Sequence, residues 1–296
     1  RASRTGGVDL RLATSNFLGW NKNLSLMLFG SKVSASGVDR RDLAYGGEIA
    51  FPNDLLSMSQ KWITIGENYD PALGFVPRKG VRISSTTAEF RPRPNAGGIR
   101  QLSFEFAFDD YYSLAHHAVE TKEISLTPFQ AFFDSGDMLN YEWQWNTERL
   151  FEPWDISRGI RLPAGKYNFN MHSVVARTSE TRPVSFEARF GAGSFFSGTR
   201  RQVESAFVWR KDKHLTTSLQ MESNWVSLKE GDFNTSLIMY RLDYSFTPFI
   251  SLANFVQYVQ TPALWRSTVN TLVFAGISTL LTIPLAFAFA YAIQRT

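Results

Sequence analysis

The chain contains no cysteine. That excludes a disulfide framework, a thiolate zinc site and cysteine catalysis. Of the 4 histidines, His172 and His214 are isolated, with no acidic partner at ligand spacing. A strong charge of either sign is also missing. Lysine and arginine number 31 and aspartate and glutamate 27, a net charge of +4. The small surplus is spread along the chain, which does not describe a nucleic-acid binder. Charged residues are 20% and hydrophobic residues 44% of the sequence, a balance that excludes long disorder. No initiator methionine and no signal-peptide pattern opens the sequence, and it stops directly after an apolar run. The chain is expected to be a fragment at both ends.

Aromatic residues are abundant, at 15%, with 25 Phe, 10 Tyr and 8 Trp. Mean hydropathy is only −0.18, yet no charged residue occurs between Arg266 and Arg295. A polar, aromatic-rich body is followed by an apolar tail.

Through the body, apolar and polar residues alternate with the period of a strand. Leu102, Phe104, Phe106 and Phe108 share one face, with Ser103 and Glu105 on the other. Phe186, Ala188 and Phe190 alternate with Ser185, Glu187 and Arg189. Ile238, Tyr240, Leu242, Tyr244 and Phe246 alternate with Met239, Arg241, Asp243 and Ser245. Turn signals such as Asp134-Ser135-Gly136-Asp137 and Lys229-Glu230-Gly231-Asp232 separate the runs. The count predicts about fourteen strands in one antiparallel meander, many near the ~9–11 residues that a membrane-spanning strand needs. Two architectures fit. A soluble sandwich or barrel points its apolar face inward. An outer-membrane barrel points it at lipid and lines its lumen with the polar face. Run length and aromatic load favour the second. That reading sends Phe104, Phe106, Phe186, Tyr240, Leu242 and Tyr244 outward, and Glu105, Glu187, Arg189, Arg241 and Asp243 inward.

Spaced motifs in the body carry a resemblance. They are Asp9-Leu10-Arg11-Leu12-Ala13-Thr14-Ser15, then Gly66-Glu67-Asn68-Tyr69-Asp70-Pro71-Ala72-Leu73-Gly74-Phe75-Val76-Pro77-Arg78, then Phe90-Arg91-Pro92-Arg93-Pro94, Gly193-Ser194-Phe195-Phe196-Ser197-Gly198 and Glu230-Gly231-Asp232-Phe233. In this order they resemble the C-terminal β-barrel domain of unknown function that follows a family-9-like carbohydrate-binding domain in Gram-negative bacteria. The likeness covers residues 1–258 and implies an outer-membrane barrel. It supplies no reaction or substrate, and the sugar-binding domain itself is not in this sequence.

The tail reads differently. Leu272, Val273, Phe274, Ile277, Leu280, Leu281, Ile283, Leu285, Phe287 and Phe289 fall in an uncharged stretch longer than the ~20 residues that cross a bilayer as a helix. Pro284 would bend such a helix, which also takes in Ala290, and Gly276, Ser278 and Thr279 are small enough for close helix approach. With Thr261-Pro262-Ala263-Leu264-Trp265-Arg266-Ser267, Asn270-Thr271-Leu272, Pro284-Leu285-Ala286-Phe287 and Ala290-Tyr291-Ala292-Ile293-Gln294-Arg295, residues 252–296 resemble the start of a binding-protein-dependent ABC-transporter permease, without the loop that docks the ATPase. The resemblances place a barrel domain at 1–258 and a transmembrane helix at 259–296. They meet between residues 248 and 265, as expected of a fused reading frame.

The fold class expected is therefore all-β, an up-and-down outer-membrane-type antiparallel barrel of about fourteen strands, plus one C-terminal transmembrane α-helix. The partner expected is the lipid bilayer, with lipopolysaccharide or carbohydrate as further candidates and no nucleic acid. The expected location is the bacterial outer membrane, or the inner membrane if the helix dominates. The function expected is a non-enzymatic envelope anchor or pore. The alternatives are an inner-membrane transport fragment and a soluble carbohydrate-binding sandwich.

A search for chemistry yields no catalytic, metal or cofactor site. His116 and His117 are adjacent, so on a strand they would point to opposite faces and could not chelate one metal. The carboxylates Asp109/Asp110, Glu120/Glu123 and Asp134/Asp137 lack the spatial pairing that a glycosidase requires. Tyr141, Trp143, Trp145 and Trp154 form the densest aromatic patch. They suit an interfacial girdle or a sugar-stacking surface. Arg91, Arg93, Arg100, Arg200, Arg201, Arg210, Lys211 and Lys213 are basic but scattered near strand ends; they suit a solvated rim or lipopolysaccharide phosphates.

Overall fold

A computed structural model describes residues 3–35, 42–71, 74–247 and 250–259. The alternating runs form β1 (Ser3–Thr14), β2 (Leu24–Ala35), β3 (Leu43–Pro52), β4 (Leu56–Ile65), β5 (Val81–Phe90), β6 (Ile99–Ser113), β7 (Ala118–Phe133) and β8 (Met138–Leu150). Two short strands follow, β9 (Trp154–Ser157) and β10 (Ile160–Leu162). Then come β11 (Gly165–Arg177), β12 (Val184–Phe195), β13 (Gly198–Arg210), β14 (Leu215–Leu228), β15 (Gly231–Thr247) and β16 (Ile250–Val259).

Fourteen of these make one sheet, in the order β1-β2-β3-β4-β5-β6-β7-β8-β11-β12-β13-β14-β15-β16. The eight ladders from β1 to β11, and the one between β15 and β16, are antiparallel. No helix-length crossover separates successive runs, so each strand pairs with its neighbour in sequence. The exception is the β9–β10 hairpin, a separate two-stranded sheet inserted where β8 and β11 join. The order is linear. β1 and β16 stand at its ends, and among the described residues no ladder joins them.

The expected transmembrane helix, with Leu272, Gly276, Pro284 and Ala290, lies outside the described residues. Among the described residues no helix is long and apolar enough to cross a membrane. Residues 254–258, which both resemblances claim, are strand. β16 runs along β15 from Leu237↔Val259 to Thr247↔Ile250.

Local chemistry explains the irregularities. Pro128 falls in the middle of β7, where it has no N–H for a ladder. The register slips there, between Leu126 and Phe129. This bulge resets the alternation by one residue, so Phe129 and Ala131 share a face with Leu126 and Ile124. The β7–β8 hairpin turns at Gly136, whose φ of +83° suits glycine, and a Cβ there would come within 2.6 Å of Ser179 Oγ.

The chain divides into two compact units. One holds the described residues of Arg1–Ser179, Ala188–Gln202 and Trp225–Phe233; the other holds those of Glu180–Glu187, Val203–Asn224 and Asn234–Thr296. In the second unit Phe186, Tyr240 and Tyr244 are exposed and Leu242 is half-buried. Arg241 pairs with Asp243 at 2.8 Å, two residues along the same strand face.

Candidate functional site: the polar face of the sheet

The ladders sort the first unit into two faces. Ser85, Asp109, Glu123 and Asn146 are successive register partners across β5, β6, β7 and β8. Ser57, Glu89 and Glu105 continue the same face. The opposite face carries Leu10, Leu12, Tyr45, Ile49, Met58, Trp62, Phe90, Phe104, Phe106, Leu126 and Phe129, all exposed. The burial pattern inverts that of an ordinary soluble sheet. Ser103 is 0% and Thr127 6% exposed on the polar side, whereas Phe106 is 38% and Leu10 49% exposed on the apolar side.

Carboxylates on the polar face are held by neighbours. The Ser103 hydroxyl contacts Glu89 at 2.9 Å and Glu105 at 3.2 Å. Arg91 lies 3.4 Å from Glu89. The Glu142 carboxylate accepts from the Ser125 hydroxyl at 3.0 Å and from the Gln144 amide at 2.8 Å. Arg189 reaches the same carboxylate at 3.3 Å. Glu148 accepts from Thr121 at 3.0 Å, and the Arg78 guanidinium stacks 4.9 Å from the Tyr111 ring. This is a wall of fixed charges and hydroxyls suited to water. Among the described residues no group of three or more His, Asp or Glu side chains is arranged to hold a metal ion.

One end of this face is covered. Ile160 and Leu162 of the β9–β10 hairpin, at 8% and 0% exposure, form a core with Val226 and Leu228. Leu150, Ile156, Phe195, Phe196 and Phe233 pack around it. Tyr167 and Phe169, register partners of Glu148 and Asn146, meet the Phe196 ring at 5.3 and 5.1 Å.

The structure divides the aromatic patch read from sequence. Tyr141, Trp143 and Trp145 lie on the apolar face, opposite Phe129, Leu126 and Ile124. Trp154 instead belongs to β9 and packs at 5.9 Å on Phe196. Three members share one face of β8; the fourth is part of the hairpin. His116 and His117 occupy the β6–β7 turn, where His116 stacks 3.7 Å from Phe151. The 66–78 motif connects β4 to β5. Gly66 N–H donates to the Leu43 carbonyl at 2.8 Å, Asp70 pairs with Lys79 at 2.6 Å, and Gly74 N–H reaches the Pro71 carbonyl at 3.1 Å. Glu67 abuts Gly80, Phe75 is exposed, and Arg78 crosses to Thr121 at 3.4 Å. Asn68 and Val76 complete this connection.

Among the scattered cations, Arg91 donates to the Asp54 and Asn53 carbonyls at 2.9 and 3.1 Å. Arg93 forks onto the Asp54 carboxylate, which holds that carboxyl below its usual range. Arg210 donates to Ser185 at 3.1 Å. Sequence reasoning missed the Glu142 cluster, although its signal was present. Glu142 and Gln144 alternate with Trp143 and Trp145, so the strand that carries the aromatic patch on one face carries a carboxylate and an amide on the other. No protein-family model matches the chain, and no curated protein matches it.

Proposed function

We propose that the chain is a non-enzymatic membrane-spanning β-barrel of the outer-membrane kind, with the apolar face against lipid and the polar face lining a water-filled interior. The inverted burial carries this reading. Exposed Phe, Leu and Trp side chains in a continuous file, opposite sheltered hydroxyls and carboxylates, are what a sheet in lipid requires. In water such a face would be an aggregation hazard.

Two quantities support it. The apolar file on β7 covers residues 124–133, which with one residue taken up by the bulge, at ~3.4 Å per residue and a tilt of ~40°, rises about 21 Å, comparable with the ~25 Å lipid-facing band. Fourteen is an even number, so a sequential meander can close with its first and last strands antiparallel. Hydrocarbon does not tolerate an open sheet edge, and closure satisfies it. The role proposed is envelope anchor or pore, in keeping with the likeness to a barrel that follows a sugar-binding domain.

The test is folding into vesicles followed by electrophoresis with and without heating. A folded barrel migrates faster unheated and shifts on boiling, and brominated lipid quenches Trp62, Trp143 and Trp145. A single heat-independent band, with unquenched tryptophan, overturns the reading.

A further inference from the structure

Arg149 on β8 and Lys166 on β11 are direct register partners on the apolar face. Like charges directly opposite on a sheet repel. Neither makes an ion pair among the described residues. Lys122 on β7 faces Thr147, two residues from Arg149 on the same face, and it too has no ion pair among the described residues. Asp110, its partner on β6, attracts Lys122 without closing a salt bridge. The Thr147 hydroxyl donates to Asn168 Oδ1 at 2.8 Å, which leaves the Asn168 amide nitrogen as a donor. One row inward, Ile124 and Trp145 begin the apolar band.

We propose that Lys122, Arg149, Lys166 and Asn168 bind the phosphate headgroup of an anionic lipid at the edge of the apolar band. This rests on the membrane reading above. The geometry has the parts such a site needs. Three cations and an amide donor sit on three adjacent strands, and a phosphate between Arg149 and Lys166 turns their repulsion into shared attraction. The acyl chains of the same molecule would run along Ile124 and Trp145. A free anion lacks that second contact, so the lipid is the occupant.

The experiment uses the full chain folded in phosphatidylcholine vesicles, with bisphosphorylated lipid A as probe and inorganic phosphate as the second arm. Lipid A is expected to raise the urea midpoint of the wild type, and inorganic phosphate to leave it unchanged. In a K122Q/R149Q/K166Q variant, lipid A binding should weaken about a hundredfold, near tenfold or less per charge. Lys166→Gln alone, at an exposed position, should lose about fivefold; it serves if the triple variant does not fold. An undiminished lipid A response in the folded variants overturns the proposal, as does an equal response to inorganic phosphate. Loss of the heat-dependent gel shift in the wild type would instead sink the membrane reading itself.

Discussion

The Arg189 guanidinium on β12 lies 3.3 Å from the Glu142 carboxylate on β8, although β11 runs between their strands. The side chains are 31% and 17% exposed. The long arginine spans an intervening strand because small residues lie in its path. Gly191, on the same face as Arg189, would place a Cβ 3.3 Å from Ser173 Oγ. Ser173 is itself the register partner of Glu142. Arg189→Met should therefore leave a sheltered carboxylate without its cation, at a cost of about 1–2 kcal/mol, between exposed and fully buried pairs. Urea unfolding in vesicles measures this. The E142Q/R189M pair should recover much of the loss, and a double variant as weak as the single one would refute the pairing.

Leu126 and Ser125 are adjacent on β7 and face opposite ways. Leu126 lies opposite Phe106 and Trp143, whereas Ser125 donates to Glu142. Leu126→Arg should destabilise the lipid-folded chain by ~2–4 kcal/mol. Ser125→Arg should cost little, because it adds a cation beside Glu142. Equal effects in a vesicle unfolding titration would mean that the faces are assigned wrongly.

The β9–β10 hairpin is held through Leu162, which is fully buried. Leu162→Asp should undock the hairpin while the fourteen-strand order survives. Faster proteolysis at Arg158, beside Gly159 with its φ of +79°, would register the change. If the polar face lines a pore, single-channel conductance should rise in the same variant. An unchanged cleavage rate would show that the hairpin is not held by this core.

Asp54 joins the β3–β4 turn to the β5–β6 connection through Arg93. Hydrogen bonding from Arg93 is the main cause of its lowered pKa. A folded pKa below the unfolded value of ~3.9 means that the contact stabilises above that pH. The stabilisation fades as pH falls through the lower folded value. Carboxyl titration by NMR should give an Asp54 midpoint below that of an ordinary aspartate, and Arg93→Ala should restore it. A midpoint unaffected by that substitution would remove Arg93 as the cause.

Much of the fold was legible in the sequence. Side-chain direction reverses at each strand residue, so the Leu102–Phe108 alternation of β6 and the Ser135-Gly136 turn signal both appear in the letters. The strand count and the nearest-neighbour pairing follow from local properties of this kind. The β9–β10 hairpin was not legible, because Trp154 and Ile160 form runs too short to show a period. Alternation by itself could not distinguish the sheltered face from the open one, since Phe106 and Glu105 alternate identically in either architecture; run length and aromatic load were what favoured sending Phe106 outward. Which face is sheltered follows from the register. Only the ladders bring Arg189 to Glu142 from 47 residues away and set Arg149 against Lys166. Alternation is a property of one strand, whereas shelter and charge pairing depend on which strands are neighbours, and tertiary structure alone decides that.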